Sequence, residues 1–207
     1  MLRPVMTRRL VQLYAGLILY GASMGLMIRA GLGLDPWDVL HQGLAERLPL
    51  SFGMVTIVVG ALVLLAWIPL RQRPGIGTLS NVVVIGLAVD ATLAVLPAPD
   101  ALALRVAFLL AGVGLNGVAT AAYIGARLGP GPRDGLMTGL VRRTGRSVRM
   151  VRTSIEVTVL AVGWLLGGTV GVGTVLYALG IGPLVHVLLP VLTVPEPARE
   201  RVTSVRV

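Results

Sequence analysis

The chain reads as an all-α, polytopic membrane protein, with six transmembrane helices forming two inverted three-helix repeats. Each repeat holds a short helix broken by Pro and Gly. Three observations predict this. The chain is 55% hydrophobic and 13% charged, with a mean hydropathy of +0.86, where a soluble domain carries roughly 25% charged residues. The sequence matches itself without gaps at an offset of 96 residues, as Gly33 and Gly129 show. The arginines gather between alternate apolar stretches.

The repeat is the most specific of the three. Gly33, Pro36, Asp38, Gly43, Ser51 and Met54 fall on Gly129, Pro132, Asp134, Gly139, Ser147 and Met150. Gly75, Gly77, Thr78 and Gly86 fall on Gly171, Gly173, Thr174 and Gly182. Gly16 and Gly21 fall on Gly112 and Gly117. Repeat 1 covers about 10–97 and repeat 2 about 106–193, within one membrane domain, 1–207, that ends in a charged tail, 195–207.

A spanning helix needs about 20 mainly apolar residues. The first is Leu10–Ile28, longer than a signal-peptide core of about 7–15 residues. The second is Leu48–Leu70, starting near Ser51, and the third is Gly77–Leu96, interrupted only by Asp90. Pro97, Pro99 and Asp100 turn the chain into the second repeat. The remaining spans are Val106–Ala126, Thr153–Leu166 with Glu156 near its entrance, and Thr174–Leu192. Three crossings per repeat put the second repeat upside down. With both termini cytoplasmic, 15 of the 18 arginines lie inside and only Arg29, Arg47 and Arg105 outside, as the positive-inside rule requires. The expected location is therefore a cell membrane, with both termini on its cytoplasmic side, the bilayer as partner and no nucleic acid bound despite the net charge of +9.

The short paired segments carry the candidate site. Each has a Gly/Pro break, with Gly33 and Pro36 in one and Gly129 and Pro132 in the other. Proline suits a first helical position and Asp35 a cap. Asp38 and Asp134 follow in the first turn, where the helix dipole favours a carboxylate. The segments are either interfacial helices with structural caps or re-entrant half-helices from opposite faces. The second alternative places a substrate or proton pathway at Asp38 and Asp134, with Trp37 as a stacking wall, because interrupted helices at matching positions of two halves point to a transport site. His41 shares a helix face with Asp38, but two such residues make no metal site.

Asp90 and His186 occupy equivalent positions in the last helix of each repeat. They form either a proton relay or a pair of side chains reaching interfacial water. Glu156 either pairs with Arg152 or carries a proton. Asn81, Asn116 and Tyr123 suit interhelical hydrogen bonds. Arg142, Arg143, Arg146 and Arg149 suit lipid headgroups.

The run Arg29-Ala-Gly-Leu-Gly-Leu-Asp-Pro-Trp-Asp-Val-Leu-His-Gln-Gly-Leu44, followed by Ser51-Phe-Gly, resembles the YczE-like bacterial membrane proteins, related to the YitT-like group. So do Gly125-Ala-Arg-Leu-Gly-Pro-Gly-Pro-Arg-Asp-Gly-Leu-Met-Thr-Gly-Leu140 and Ile155-Glu-Val. The resemblance implies a multi-pass protein of the bacterial plasma (inner) membrane, some of whose relatives are regarded as small-molecule exporters, and it transfers no catalytic residue. The expectation is a small secondary transporter or exporter, with its site between the inverted repeats. The alternatives are a membrane scaffold or accessory protein and a passive channel. No enzyme motif, cofactor or metal is expected, and the small size suggests a homo-oligomer.

Overall fold

The structure, a computed structural model, describes residues 2–195. The expected tail, with Arg199, Arg201 and Arg206, lies outside the described residues. Among these residues the chain forms eight helices and no strand: α1 Leu2–Ala30, α2 Pro36–Ala45, α3 Phe52–Trp67, α4 Ile76–Val95, α5 Leu102–Gly125, α6 Pro132–Thr144, α7 Val148–Leu165 and α8 Val172–Leu192. The starts of α2, α3 and α4 recur 96 residues later as the starts of α6, α7 and α8. The first helix begins earlier than the expected Leu10. Pro4 falls in its first turn, where proline is tolerated, so the helix extends back through Arg8 and Arg9.

The repeated caps explain the repeated boundaries. Ser51 Oγ accepts the Met54 N–H at 3.2 Å, and Ser147 Oγ accepts the Met150 N–H at 3.3 Å. At α4 and α8 the N-cap is glycine. There Thr78 Oγ1 accepts the Gly75 N–H at 3.1 Å, and Thr174 Oγ1 accepts the Gly171 N–H at 3.2 Å. These bonds satisfy N–H groups that a helix start otherwise leaves unpaired.

Four helices are long and apolar enough to cross a membrane by themselves: α1 from Val5, α4, α5 and α8. The sequence predicts six. At 16 residues α3 spans ~24 Å, short of the ~30 Å hydrocarbon core. The first half of α7 carries Arg149, Arg152 and Glu156.

α1 and α5 pack antiparallel at the centre, where glycines let the backbones approach. A Cβ on Gly16 would lie 3.0 Å from Tyr123 N, and one on Gly112 would lie 3.1 Å from Ser23 O. α4 lies on α1 and α8 lies on α5, through the repeat mates Gly21 and Gly117. The short helices cross over: α2 packs on α7 and α6 packs on α3. A Cβ on Gly43 would meet Gly163 O at 2.6 Å, while Gly135 lies under the Trp67 ring. The chain breaks exchange in the same way. Gly33, at φ +111°, rests on Gly171 and Thr174, and Gly129, at φ +129°, rests on Gly75 and Thr78. The Gly173 N–H donates to Leu32 O at 2.8 Å and the Gly77 N–H to Leu128 O at 2.9 Å.

The three arginines that break the charge bias sit at helix C-termini, where cations are favoured. Arg105 Nε donates to Ala30 O at 2.7 Å, at the end of α1. Arg47 Nε donates to Leu166 O at 3.0 Å, at the end of α7. Arg29 Nη2 donates to Leu93 O, near the end of α4.

The two repeats differ most where the third helix meets the fourth. α3 packs along α4, with Gly53 and Gly60 against Gly86 and Val82. Their mates α7 and α8 barely touch. Arg149 and Glu156 replace Gly53 and Gly60, and a Cβ on Gly182 would meet nothing within 4 Å among the described residues outside its own stretch of helix.

Candidate functional site

A cavity of about 190 Å³ lies between the repeats. Its lining comes largely in pairs 96 residues apart: Asp35 and Gly131, Pro36 and Pro132, Trp37 and Arg133, His41 and Met137, Thr56 and Arg152, Gly60 and Glu156, Asn81 and Tyr177, Ile85 and Ile181. The backbone frame is shared, but the chemistry at each pair differs. Trp37 faces the cavity from one half and Arg133 from the other.

The N-terminal ends of α2 and α6 meet here. Asp35 caps α2, its Oδ1 accepting the Trp37 N–H at 2.9 Å and the Asp38 N–H at 3.1 Å. Asp35 is 1% exposed and Asp38 is 0% exposed. Arg133, the second residue of α6, reaches across to both. Nη1 lies 3.5 Å from Asp35 Oδ1 and Nη2 lies 3.7 Å from Asp38 Oδ1. The guanidinium also stands 4.9 Å from the centre of the Trp37 ring, within cation–π range. Asp35 Oδ2 and Asp38 Oδ2 are buried with no hydrogen-bond partner among the described residues.

Around this centre the contacts are closed. His41 Nδ1 lies 3.1 Å from Asp38 Oδ1, and the imidazole stands edge-on to Phe52. Tyr123 OH donates to Asp134 Oδ2 at 3.2 Å. Tyr177 OH donates to Asn116 Oδ1 at 3.0 Å, and Asn116 Nδ2 donates to Ser23 Oγ at 2.9 Å, tying α8, α5 and α1 together. Trp67 Nε1 donates to Pro132 O at 3.0 Å and fixes the start of α6.

Trp37, His41, Asp134 and Glu156 line the cavity with Asp35, Pro36 and Pro132. Asp38 is connected to it through Arg133. Glu156 pairs with Arg152 Nε at 2.9 Å. Asp90 and His186 stand apart from the cavity. Asp90 accepts the Gly53 N–H at 2.7 Å and the Ser51 hydroxyl, so it pins the start of α3 to α4, while His186 is exposed on α8. Arg142, Arg143, Arg146 and Arg149 are exposed, and Arg143 Nη1 donates to Pro69 O at 2.8 Å.

Sequence reasoning missed Arg133, which it counted only as a cytoplasmic charge, and the aromatic lining residues Tyr20 and Tyr177. A signal was present. Positions 37 and 133 differ sharply in chemistry inside an otherwise matched motif, and so do 81 and 177.

The fold and the site define a helical membrane protein with a largely apolar cavity, set with a few charged groups, between two repeats. The chain belongs to a family of unknown function, DUF6198, which it matches over residues 7–190. It is similar to an uncharacterized protein of Haemophilus influenzae, 43% identical over 85% of this chain and 81% of that one. It is also similar to the uncharacterized membrane protein YczE of Bacillus subtilis, 36% identical over 86% of this chain and 83% of that one. YyaS of the same organism is 27% identical over 85% of this chain and 90% of its own length. No solved structure matches.

Proposed function

We propose that the protein is a small secondary transporter, and not an enzyme, working by alternating access about the cavity between its repeats. In this reading all six longer helices cross the bacterial inner membrane with both termini cytoplasmic. α2 and α6 are half-helices entering from opposite faces, a construction that transporters use around midplane sites. Irregular backbone at that depth is tolerated where it lines a cavity.

The observation that carries the proposal is the unequal packing of matched helices. α3 and α4 are closed through Gly53, Gly60 and Gly86, whereas α7 and α8 are apart; both pairs border the cavity, through Gly60 and Ile85 in one half and Glu156 and Ile181 in the other. With the N-terminus inside, the closed pair lies toward the exterior and the open pair toward the cytoplasm. Exchange of the two arrangements would carry the cavity from one side to the other. A scaffold needs no such difference.

The chain has no cysteine, so cross-linking tests this cleanly. A Cβ on Gly60 would lie 3.6 Å from Val82 Cβ, inside the usual disulfide range of about 3.5–4.5 Å. Gly60→Cys with Val82→Cys should therefore cross-link in membranes. The matched pair, Glu156→Cys with Ala178→Cys, should cross-link through the opposite state. Closure of the first pair with none of the second would leave a static scaffold or channel and end the transporter reading.

A further inference from the structure

We infer that a groove at the cytoplasmic end of α3 binds the phosphate of an anionic phospholipid through Arg71, Arg142 and Arg143. The inference rests on the membrane topology of the transporter reading and not on transport itself.

The groove forms where the ends of two helices meet. α3 closes in a Schellman turn, with the Arg71 N–H donating to Ile68 O and the Gln72 N–H to Trp67 O, both at 3.1 Å. α6 lies against this turn. A Cβ on Gly139 would meet Leu70 Cβ at 3.0 Å, and Arg143 Nη1 donates to Pro69 O at 2.8 Å. Between them runs an open groove whose charged lining residues are Arg71, Arg142 and Arg143, with no acid among them.

The other repeat supplies the control. α7 closes in the same turn, with the Gly167 N–H donating to Trp164 O at 3.0 Å and the Gly168 N–H to Gly163 O at 2.9 Å. Its left-handed position is held by Gly167, at φ +107°, as such turns ordinarily require. The matching residue in the groove is Arg71, at φ +52°, a conformation that a side chain makes costly. The residue over the turn differs as well. A Cβ on Gly167 would lie 2.8 Å from Glu46 Oε2, and the mate of Glu46 is Arg142. Arg47 and Arg143 are the same in both halves, each bonding a carbonyl of its turn. Glu46 and Arg47 cancel at one turn, whereas Arg71, Arg142 and Arg143 sum to +3 at the other. Glycine would serve the backbone at position 71, so the arginine there serves charge.

The arginines also have capacity to spare. Arg71 and Arg142 are exposed, and their guanidinium groups have no hydrogen bond or ion pair among the described residues. Helix C-termini favour cations, which lets three guanidinium groups stand together. Their planar forks match the oxygens of a phosphate. A lipid is the occupant because the groove opens beside apolar surface, with Ile68 71% exposed and Pro69 also exposed. A phosphate held there leaves its acyl chains along α3, and the cytoplasmic leaflet carries the negative surface potential.

The test uses native mass spectrometry and thermal midpoints of the purified full chain in detergent. The probes are phosphatidylglycerol, phosphatidylcholine and glycerol phosphate. Phosphatidylglycerol should bind saturably and at least tenfold more tightly than phosphatidylcholine. One arginine near an anionic surface contributes about a fivefold gain. Arg71→Gly and Arg142→Glu install the residues of the other repeat, and each should weaken binding about fivefold or more. Arg71→Gly should keep or raise the midpoint without lipid, because glycine suits the turn, so that lost binding is not lost fold. Arg8→Gln removes an exposed charge on α1 and should leave binding unchanged. Equal affinity for the two lipids overturns the inference, and so does an equal loss in Arg8→Gln and Arg71→Gly, which would make the effect one of net charge. Glycerol phosphate binding as tightly as phosphatidylglycerol would make the occupant a soluble phosphate and overturn the lipid assignment. If Arg142→Glu fails to fold, Arg71→Gly alone decides. Binding is read without flux, so a failure of transport leaves this site standing and a failure here leaves transport standing.

Discussion

Gly86 and Gly182 are the same position in two repeats, and alanine should act on them unequally. A Cβ on Gly86 would lie 2.6 Å from Gly53 O and 2.5 Å from Ile57 Cγ1, so α3 and α4 would have to separate. On Gly182 it would meet nothing within 4 Å among the described residues outside its own stretch of helix. Both substitutions gain about 0.5–1 kcal/mol from replacing a helical glycine. Only Gly86→Ala also suffers overpacking, which costs about 1–3 kcal/mol. At Gly182 the gain is reduced, because Pro183 follows it and a Cβ before proline is disfavoured in helical backbone, so the difference between the variants reads overpacking at Gly86 less that penalty. For a chain of this size 1 kcal/mol moves the midpoint by roughly 2–4 °C, so the two should melt about 2–12 °C apart. Gly182→Ala should lie near wild type, its helix gain offset by the Pro183 that follows, and Gly86→Ala at or below it. The assay is helical circular dichroism in one detergent at one scan rate, because membrane proteins often unfold irreversibly and apparent midpoints then depend on rate. Equal midpoints, or a lower one for Gly182→Ala, would refute the claim that only one of the two helix pairs is closed. Gly182→Ala should also slow cross-linking of the Glu156→Cys and Ala178→Cys pair, since closure brings that surface into contact.

The remaining predictions concern the site and its supports. Asp35→Ala should cost about 1 kcal/mol through the lost cap, and Asp35→Asn much less, read from the same melting curves. Trp67→Phe removes the bond to Pro132 O and should cost about 0.5–1.5 kcal/mol; an unchanged midpoint would show that the indole does not fix α6. Glu156→Gln breaks an i,i+4 pair that is 39–56% exposed, worth about 0.3–0.5 kcal/mol, so stability should be nearly unchanged. Single cysteines across 33–45 and 129–141 should label from opposite sides of the membrane, and labelling of both only from one side would rule out inverted half-helices.

Much of the fold was legible because one signal served twice. Every cap and close approach that recurs after 96 residues was visible as a repeated Gly, Ser, Thr or Pro, since those positions answer to backbone geometry. The Ser51 and Ser147 caps, the Pro36 and Pro132 starts and the Gly16 and Gly112 contacts are all of this kind. The exchange of α2 and α6 between halves was not legible, because a repeat states which residues are equivalent and not which copy they touch. The site was half legible. Asp35, Asp38 and Trp37 stand on the matched motif, whereas Arg133 was hidden by a competing explanation, the cytoplasmic charge bias. Asp90 and His186 are equivalent in sequence, but they meet different surroundings because α3 touches α4 and α7 does not touch α8 in the same way.

The crossed seating of the short helices also sets an order of events during synthesis. Gln42 Oε1 accepts the Thr169 N–H, 127 residues further along the chain, and α2 rests on Gly163 and Gly168. At about 5–20 residues per second the ribosome takes roughly 6–25 s to supply that surface. For most of that interval Asp35 and Asp38 stand without Arg133, which follows Asp35 by 98 residues, and without the α7 surface against which α2 is later buried. The first half must therefore wait at the membrane, with its carboxylates still wet, until the second half arrives to enclose them.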